Sequence, residues 1–232
     1  MSRAFLGHKR AVAPRKTSRT TKPAARRSGA PTVRRPAARR PKTPDALAVL
    51  KDDHREVEAL FTKFEALGRR AYKTKAELVH QMTVALSKHA AIEEQVFYPE
   101  VRRAVSSLGD EVLEALEEHH VVKWTLSELE DLTPEDERFQ AKVTVLMENV
   151  RHHVREEERG LFPQVRKAMA AAKLQELGRG LQAAKDAAPT RPHPRSPDTP
   201  PGNVLAAALV TPLDAVANVA QSAAKSVRDV VS

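Results

Sequence analysis

Apolar residues recur through the middle of the chain at alternating three- and four-residue steps, the spacing of one helix face. Leu47, Leu50, His54, Val57, Phe61 and Phe64 form the first such stripe. Asp45 precedes it as an N-cap and Gly68 follows as a stop signal. A second stripe runs Leu78, Met82, Ala85, His89, Ile92 and Val96, and reaches about Val105. A third, opened by Asp110, runs Val112, Ala115, His119, Val122, Leu126 and Leu129. The fourth follows Thr133-Pro134 and carries Phe139, Val143, Leu146, Val150, His153 and Glu157. Four amphipathic stripes with short connections predict an all-α protein, an antiparallel up-down four-helix bundle. A weaker pattern (Val165, Met169, Leu174, Leu177, Leu181) predicts a trailing helix, weakened at Gly178 and Gly180.

The flanks read differently. Residues 187–203 are a Pro-rich linker, and residues 204–232 an Ala/Val-rich, weakly amphipathic tail broken at Pro212. Residues 1–44 contain 14 Lys/Arg, six prolines and no acid. Such a segment repels itself and has almost nothing to bury, so it is expected to be disordered. The formal net charge of +9 therefore averages a basic arm with an acidic body, since residues 45–186 hold 21 Lys/Arg against 27 Asp/Glu. The expected domains are an arm at 1–44, a bundle with trailing helix at 45–186 and an extension at 187–232. No apolar run approaches the roughly 20 residues of a membrane span. No secretory h-region follows the first basic residues. The expected compartment is the cytoplasm, nucleoid association included, with an organelle presequence in residues 1–44 as the alternative.

The body is an internal repeat. A shift of 65 residues lays Asp53, His54, Val57, Phe61 and Phe64 on Glu118, His119, Val122, Leu126 and Leu129. A shift of 64 lays His89, Glu93, Glu94, Tyr98 and Pro99 on His153, Glu157, Glu158, Phe162 and Pro163. Every helix thus presents one inward histidine, and the second and fourth add a glutamate one turn on. Buried unpaired, such groups cost several kcal/mol per ionised side chain, about what a bound cation removes. With no cysteine in the chain, thiolate sites are excluded. Imidazoles with carboxylates and open positions point to non-haem iron or manganese. The metal candidates are His54, His89, Glu93, His119, His153 and Glu157. His119 and His153 are chosen over His120 and His152 because only they superpose on repeat partners, with His120 the alternative for the third helix. Tyr98 has a phenylalanine as its repeat partner, so it is expected to pack in the core with its hydroxyl on solvent or a polar partner. Trp124 is expected to pack in the core or at the bundle edge. Pro99 and Pro163 are expected to kink or end their helices just past the metal turn.

These residues resemble the hemerythrin-like (His-His-Glu) cation-binding domains over about residues 45–170. Asp53-His54, His89-x-x-x-Glu93-Glu94 with Phe97-Tyr98-Pro99, Glu118-His119, and His153-x-x-x-Glu157-Glu158 with Leu161-Phe162-Pro163 carry the likeness. The resemblance implies two non-haem iron ions joined by an oxo or hydroxo bridge. It implies that Glu93 and Glu157 bridge them, with the four histidines as terminal ligands. Manganese and zinc rank after iron. Lys123 stands where oxygen-carrying hemerythrins resemble a second histidine in the third helix, and Glu157 follows the last histidine at four residues rather than an aspartate at five. Fewer imidazoles leave more open positions. The resemblance therefore implies binding or sensing of O2, NO or peroxide, or iron handling, more than reversible oxygen carriage. Two rivals are kept. One is a nucleic-acid-associated protein whose arm binds DNA or another polyanion, with the bundle as redox or iron input. The other is an oxidoreductase that consumes peroxide or NO. No dedicated catalytic residue is assigned, and metal binding ranks ahead of enzymatic turnover.

Overall fold

The computed structural model describes residues 44–231. The basic arm, Pro44 apart, lies outside the described residues. Six helices and no strand are found among the described residues. Helix α1 is Ala46–Glu65. Helix α2 is Tyr72–Ile92, a wider turn Glu93–Phe97, and Tyr98–Ala104. Helix α3, Gly109–Glu130, is reached through the tight turn Ser106–Leu108. Helix α4 repeats the build of α2, with Phe139–Glu156, a wider turn Glu157–Leu161, and Phe162–Ala168. Helix α5 is Ala171–Asp186 and α6 is Gly202–Val231.

Helices α1–α4 form the antiparallel bundle that the hydrophobic stripes predict. Asp45 caps α1 as expected: its carboxylate accepts the Ala48 N–H at 3.1 Å. The Arg166 guanidinium closes on the same carboxylate at 2.6 and 3.0 Å, tying the start of α1 to the end of α4. The core is two apolar clusters with a polar layer between them. One holds Leu50, Ile92, Phe97, Tyr98, Leu116, Phe162 and Leu174, and the other Phe61, Phe64, Met82, Leu126, Phe139 and Leu146. The inward histidines lie between them.

Two expectations, both about prolines, are corrected. Pro99 and Pro163 neither end nor break their helices. The turn before each widens, so that the Tyr98 N–H donates to the Glu93 carbonyl and the Phe162 N–H to the Glu157 carbonyl, five residues back. This π-type turn relieves the clash between a proline ring and the carbonyl one α-turn earlier. Helix α5 runs through Gly178 and Gly180, and Gly178 lets α5 lie against the start of α1. A Cβ there would sit 2.4 Å from the Pro44 carbonyl oxygen and 2.9 Å from the Ala46 nitrogen. The fourth helix starts at Phe139, after a turn that the Thr133 N–H and Oγ1 close by both donating to the Asp136 carboxylate. Helix α6 passes through Pro212 unbroken. Pro212 and Ala208, whose carbonyl loses its donor, are both exposed, so water can satisfy that carbonyl.

The segment read as a linker lies on the bundle. Asp214 accepts the N–H groups of Thr190 and Arg191 at 3.0 and 3.2 Å. Arg191 pairs with Glu130 at 2.9 Å, and Asn203 donates to the Glu94 carbonyl at 2.9 Å. Trp124 is 45% exposed at the bundle edge, under the Arg195 guanidinium at 5.4 Å.

Candidate metal centre

The π-turns begin at Glu93 and Glu157, so the two wide turns and the two inward glutamates sit at one level of the bundle. The structure brings all six candidate side chains together there. The Nε2 atoms of His54 and His89 are 3.2 Å apart, and those of His119 and His153 are 3.3 Å apart. Glu157 Oε2 lies 3.2 Å from His54 Nε2 and 3.6 Å from His153 Nε2. Glu93 Oε2 lies 3.1 Å from His89 Nε2 and 3.4 Å from His119 Nε2. Each carboxylate thus faces one imidazole of each pair. All six residues are buried, Glu93 completely.

The outer ring nitrogens explain why the inner ones converge. His54 Nδ1 bonds Glu158 at 2.9 Å, His119 Nδ1 bonds Glu94 at 2.9 Å, and His153 Nδ1 bonds Glu118 at 2.7 Å. His89 Nδ1 faces Asp53 across 3.6 Å. A carboxylate on Nδ1 keeps the proton there and leaves the Nε2 lone pair pointing inward. The four lone pairs and the Glu93 and Glu157 oxygens then form a nest of acceptors. Both oxygens of Glu93, and Oε2 of Glu157, have no hydrogen-bond donor. A buried acceptor cluster of this kind is unfavourable without positive charge in its middle. The donor set fits a nitrogen- and oxygen-liganded transition metal.

Electrostatics of the metal-free pocket agree. Burial holds His89 below the ordinary imidazole range, and His119 well below it with help from His153 and Lys123. Both are neutral, as a ligand must be. Burial acts the same way on His153, but Glu157 and Glu118 outweigh it and raise its value. Glu93 is raised well above the carboxylate range by burial and then by the charge of Glu157. Burial also pushes Glu157 upward, yet His153 and the neighbouring His54 outweigh it and bring it down to about 2. Tyr98 is packed in the core as expected, and its hydroxyl donates to Glu157 Oε1 at 3.0 Å. Burial and the neighbouring carboxylates hold its phenol far above the ordinary range, so it stays protonated.

The alternatives sit elsewhere. His120 is half-buried against Glu117 and Asp198, each at 3.4 Å. His152 and His80 are exposed, and His193 pairs with Asp214 at 3.1 Å. His8 lies outside the described residues.

The supporting carboxylates Asp53, Glu94, Glu118 and Glu158 escaped the sequence argument as functional residues. Their signal was there: Asp53 matches Glu118, and Glu94 matches Glu158, each next to an inward ligand candidate. Lys123 closes on Glu94 at 2.6 Å and Lys185 on Asp53 at 2.6 Å, so two of these carboxylates are themselves fixed by lysines.

Comparison with known proteins follows the same line. The Hemerythrin HHE cation binding domain matches residues 45–165. An uncharacterized hemerythrin-like protein of Schizosaccharomyces pombe is 26% identical over 168 residues, 72% of this chain and 81% of its own. A DNA nickase of Nostoc sp. is 31% identical over 137 residues, 59% of this chain but only 38% of its own. The crystal structure of a Hemerythrin HHE cation binding domain-containing protein from Mycobacterium kansasii shares the fold, with a TM-score of 0.53 and 24% identity over 62% of this chain and 86% of its own. With the family match spanning more than half its length, the chain belongs to the hemerythrin HHE cation-binding domain family.

Proposed function

We propose that this protein holds a pair of iron ions in its bundle core and there binds or senses O2, NO or peroxide, or handles iron. The observation that carries this reading is the nest of buried acceptors with orphaned Glu93 and Glu157 oxygens. His54 and His89 would hold one ion and His119 and His153 the other, with Glu93 and Glu157 shared between them. Iron at this place supplies open coordination positions and one-electron chemistry. The chain's own groups do the rest. Asp53, Glu94, Glu118 and Glu158 set the imidazole tautomers. Tyr98 holds a proton on Glu157 Oε1. Val57, Leu86, Ala90, Val122, Val150 and Val154 line, with the four imidazoles, a small apolar cavity. It leaves about 20 Å³ for the centre of a water-sized molecule, enough for a diatomic and little more.

Anaerobic loading with Fe(II), desalting and elemental analysis test the reading. About two iron atoms per chain are expected, with an ultraviolet–visible spectrum that changes on exposure to air. Protein that emerges without iron refutes it.

A second reading concerns the arm. Fourteen cations without an acid in residues 1–44, and a DNA nickase among the relatives, support contact with nucleic acid through this segment. Binding of that kind is non-specific and falls steeply with salt. Fluorescence anisotropy on duplex DNA should show affinity lost on removing residues 1–43. Equal affinity without them refutes it. The acid-free charge of residues 1–44 and the Pro-rich run from 187 support a division into arm (1–44), bundle with trailing helix (45–186) and extension (187–232).

A further inference from the structure

Three of the four carboxylates that hold the imidazoles meet a lysine on their other side. Asp53 has Lys185 at 2.6 Å, Glu94 has Lys123 at 2.6 Å and Glu158 has Lys51 at 3.6 Å. Glu118 has no lysine or arginine among the described residues. Its Oε2 bonds His153 Nδ1 at 2.7 Å, while its Oε1 faces His152 Nε2 at 3.6 Å. Glu156 Oε1 lies 3.1 Å from the same His152 nitrogen. One ligand atom from each of Glu118, His152 and Glu156 falls within 4.8 Å of the other two. Metal–ligand bonds of about 2.0–2.2 Å place neighbouring ligand atoms roughly 3–3.6 Å apart, so this trio is spaced to share one ion.

The sequence shows why the trio occurs once. His152 and Glu156 repeat the four-residue His–Glu spacing of His153 and Glu157, one residue out of phase and therefore on the outer face. Their counterparts in the second helix are Lys88 and Ile92. In the first half of the molecule a fixed cation, Lys185, sits behind the supporting carboxylate. In the second half the corresponding place is walled by an imidazole and a second carboxylate, with no lysine or arginine on Glu118 among the described residues.

We propose that Glu118, His152 and Glu156 bind a divalent first-row transition ion at the surface of α3 and α4, on the path of metal into the buried centre. The imidazoles of the centre are only 4–5% exposed, and Glu118 touches both the surface histidine and His153. An ion held by Glu118 at the surface is one carboxylate away from the interior. The uptake role rests on reading the core as a metal centre; the surface site does not.

The test is equilibrium dialysis of the untagged full chain against Zn2+, beside the double variant His152→Ala/Glu156→Gln. Both positions are exposed, and circular dichroism should show the helix content unchanged. The wild type should hold one more equivalent of zinc than the variant. Equal zinc in both overturns the site. The zinc retained by the variant reads the buried centre separately, so failure of one reading is distinguishable from failure of the other. Stopped-flow Fe(II) uptake should then be several-fold slower in the variant with the same final iron content. An unchanged rate overturns the uptake role.

Discussion

Replacing Glu93 with glutamine sets the stability of the metal-free fold against its capacity for metal. Glu93 is fully buried and neither of its oxygens has a donor. Its carboxyl is held well above 4.5 by burial and by Glu157. The stability of its neutral form is fully present below that ordinary value and is lost as pH climbs towards the folded-state value. Glutamine has no such proton to lose, and its amide can donate to the orphaned Oε2 of Glu157. Relieving an unsatisfied buried group is worth about 1–3 kcal/mol. A chain of this size gains about 2–4 °C in melting temperature per kcal/mol, so the metal-free variant should melt roughly 2–12 °C above the wild type at neutral pH. Metal reverses the order. At a hundredfold excess over Kd a ligand adds about 2.7 kcal/mol to the wild type, and the variant should gain little. Thermal melts by circular dichroism, with and without anaerobic Fe(II), read both effects. A metal-free variant melting at or below the wild type, or one that keeps the full metal shift, would refute the reasoning.

Other expectations concern the frame around the centre. Gly178→Ala should destabilise by about 1–3 kcal/mol in urea unfolding, since its Cβ meets backbone. Gly180→Ala, two residues on and facing only the Val96 side chain at 3.6 Å, should stabilise by up to about 1 kcal/mol. Lys123→Met should cost about 3 kcal/mol by the same measurement, because it strands the buried Glu94 carboxylate; wild-type stability would refute the pairing. The Arg166 hydrogen bond beside Asp45 holds that carboxyl below its ordinary 3.8. A depressed folded value stabilises above the unfolded one and is lost as pH falls through the folded one. The gap in urea midpoint between wild type and Asp45→Asn should therefore be open at neutral pH and close below about pH 3.8.

The inward residues were legible because helical periodicity and the repeat address the same question, namely which side chains share a face. His54, His89, Glu93, His119, His153 and Glu157 each satisfied both. The supporting carboxylates were visible as repeat pairs but not as partners. Each sits one residue from an inward position, about 100° round its helix, and reaches across to a neighbouring helix. Which neighbour it meets depends on the bundle's packing order, which periodicity along one helix does not contain. Pro99, Pro163 and Pro212 misled for a related reason: the cost of a proline depends on whether its orphaned carbonyl finds water or a relaxed turn. The packing role of Gly178 was not legible, because it lies against the backbone at the start of α1, far away in sequence.

Tyr98 and Phe162 occupy equivalent places in the two halves, yet only one carries a hydroxyl. Two separate helix pairs of identical sequence would have to place a phenol on both carboxylates or on neither. Joining the halves in one polypeptide removes that constraint. The duplicated scaffold can then hold matched ligands while a single O–H group makes Glu157 a different electronic neighbour from Glu93. The two halves thus present matched imidazoles but unequal carboxylates, one with a phenol donating to its Oε1 and the other with no donor at all.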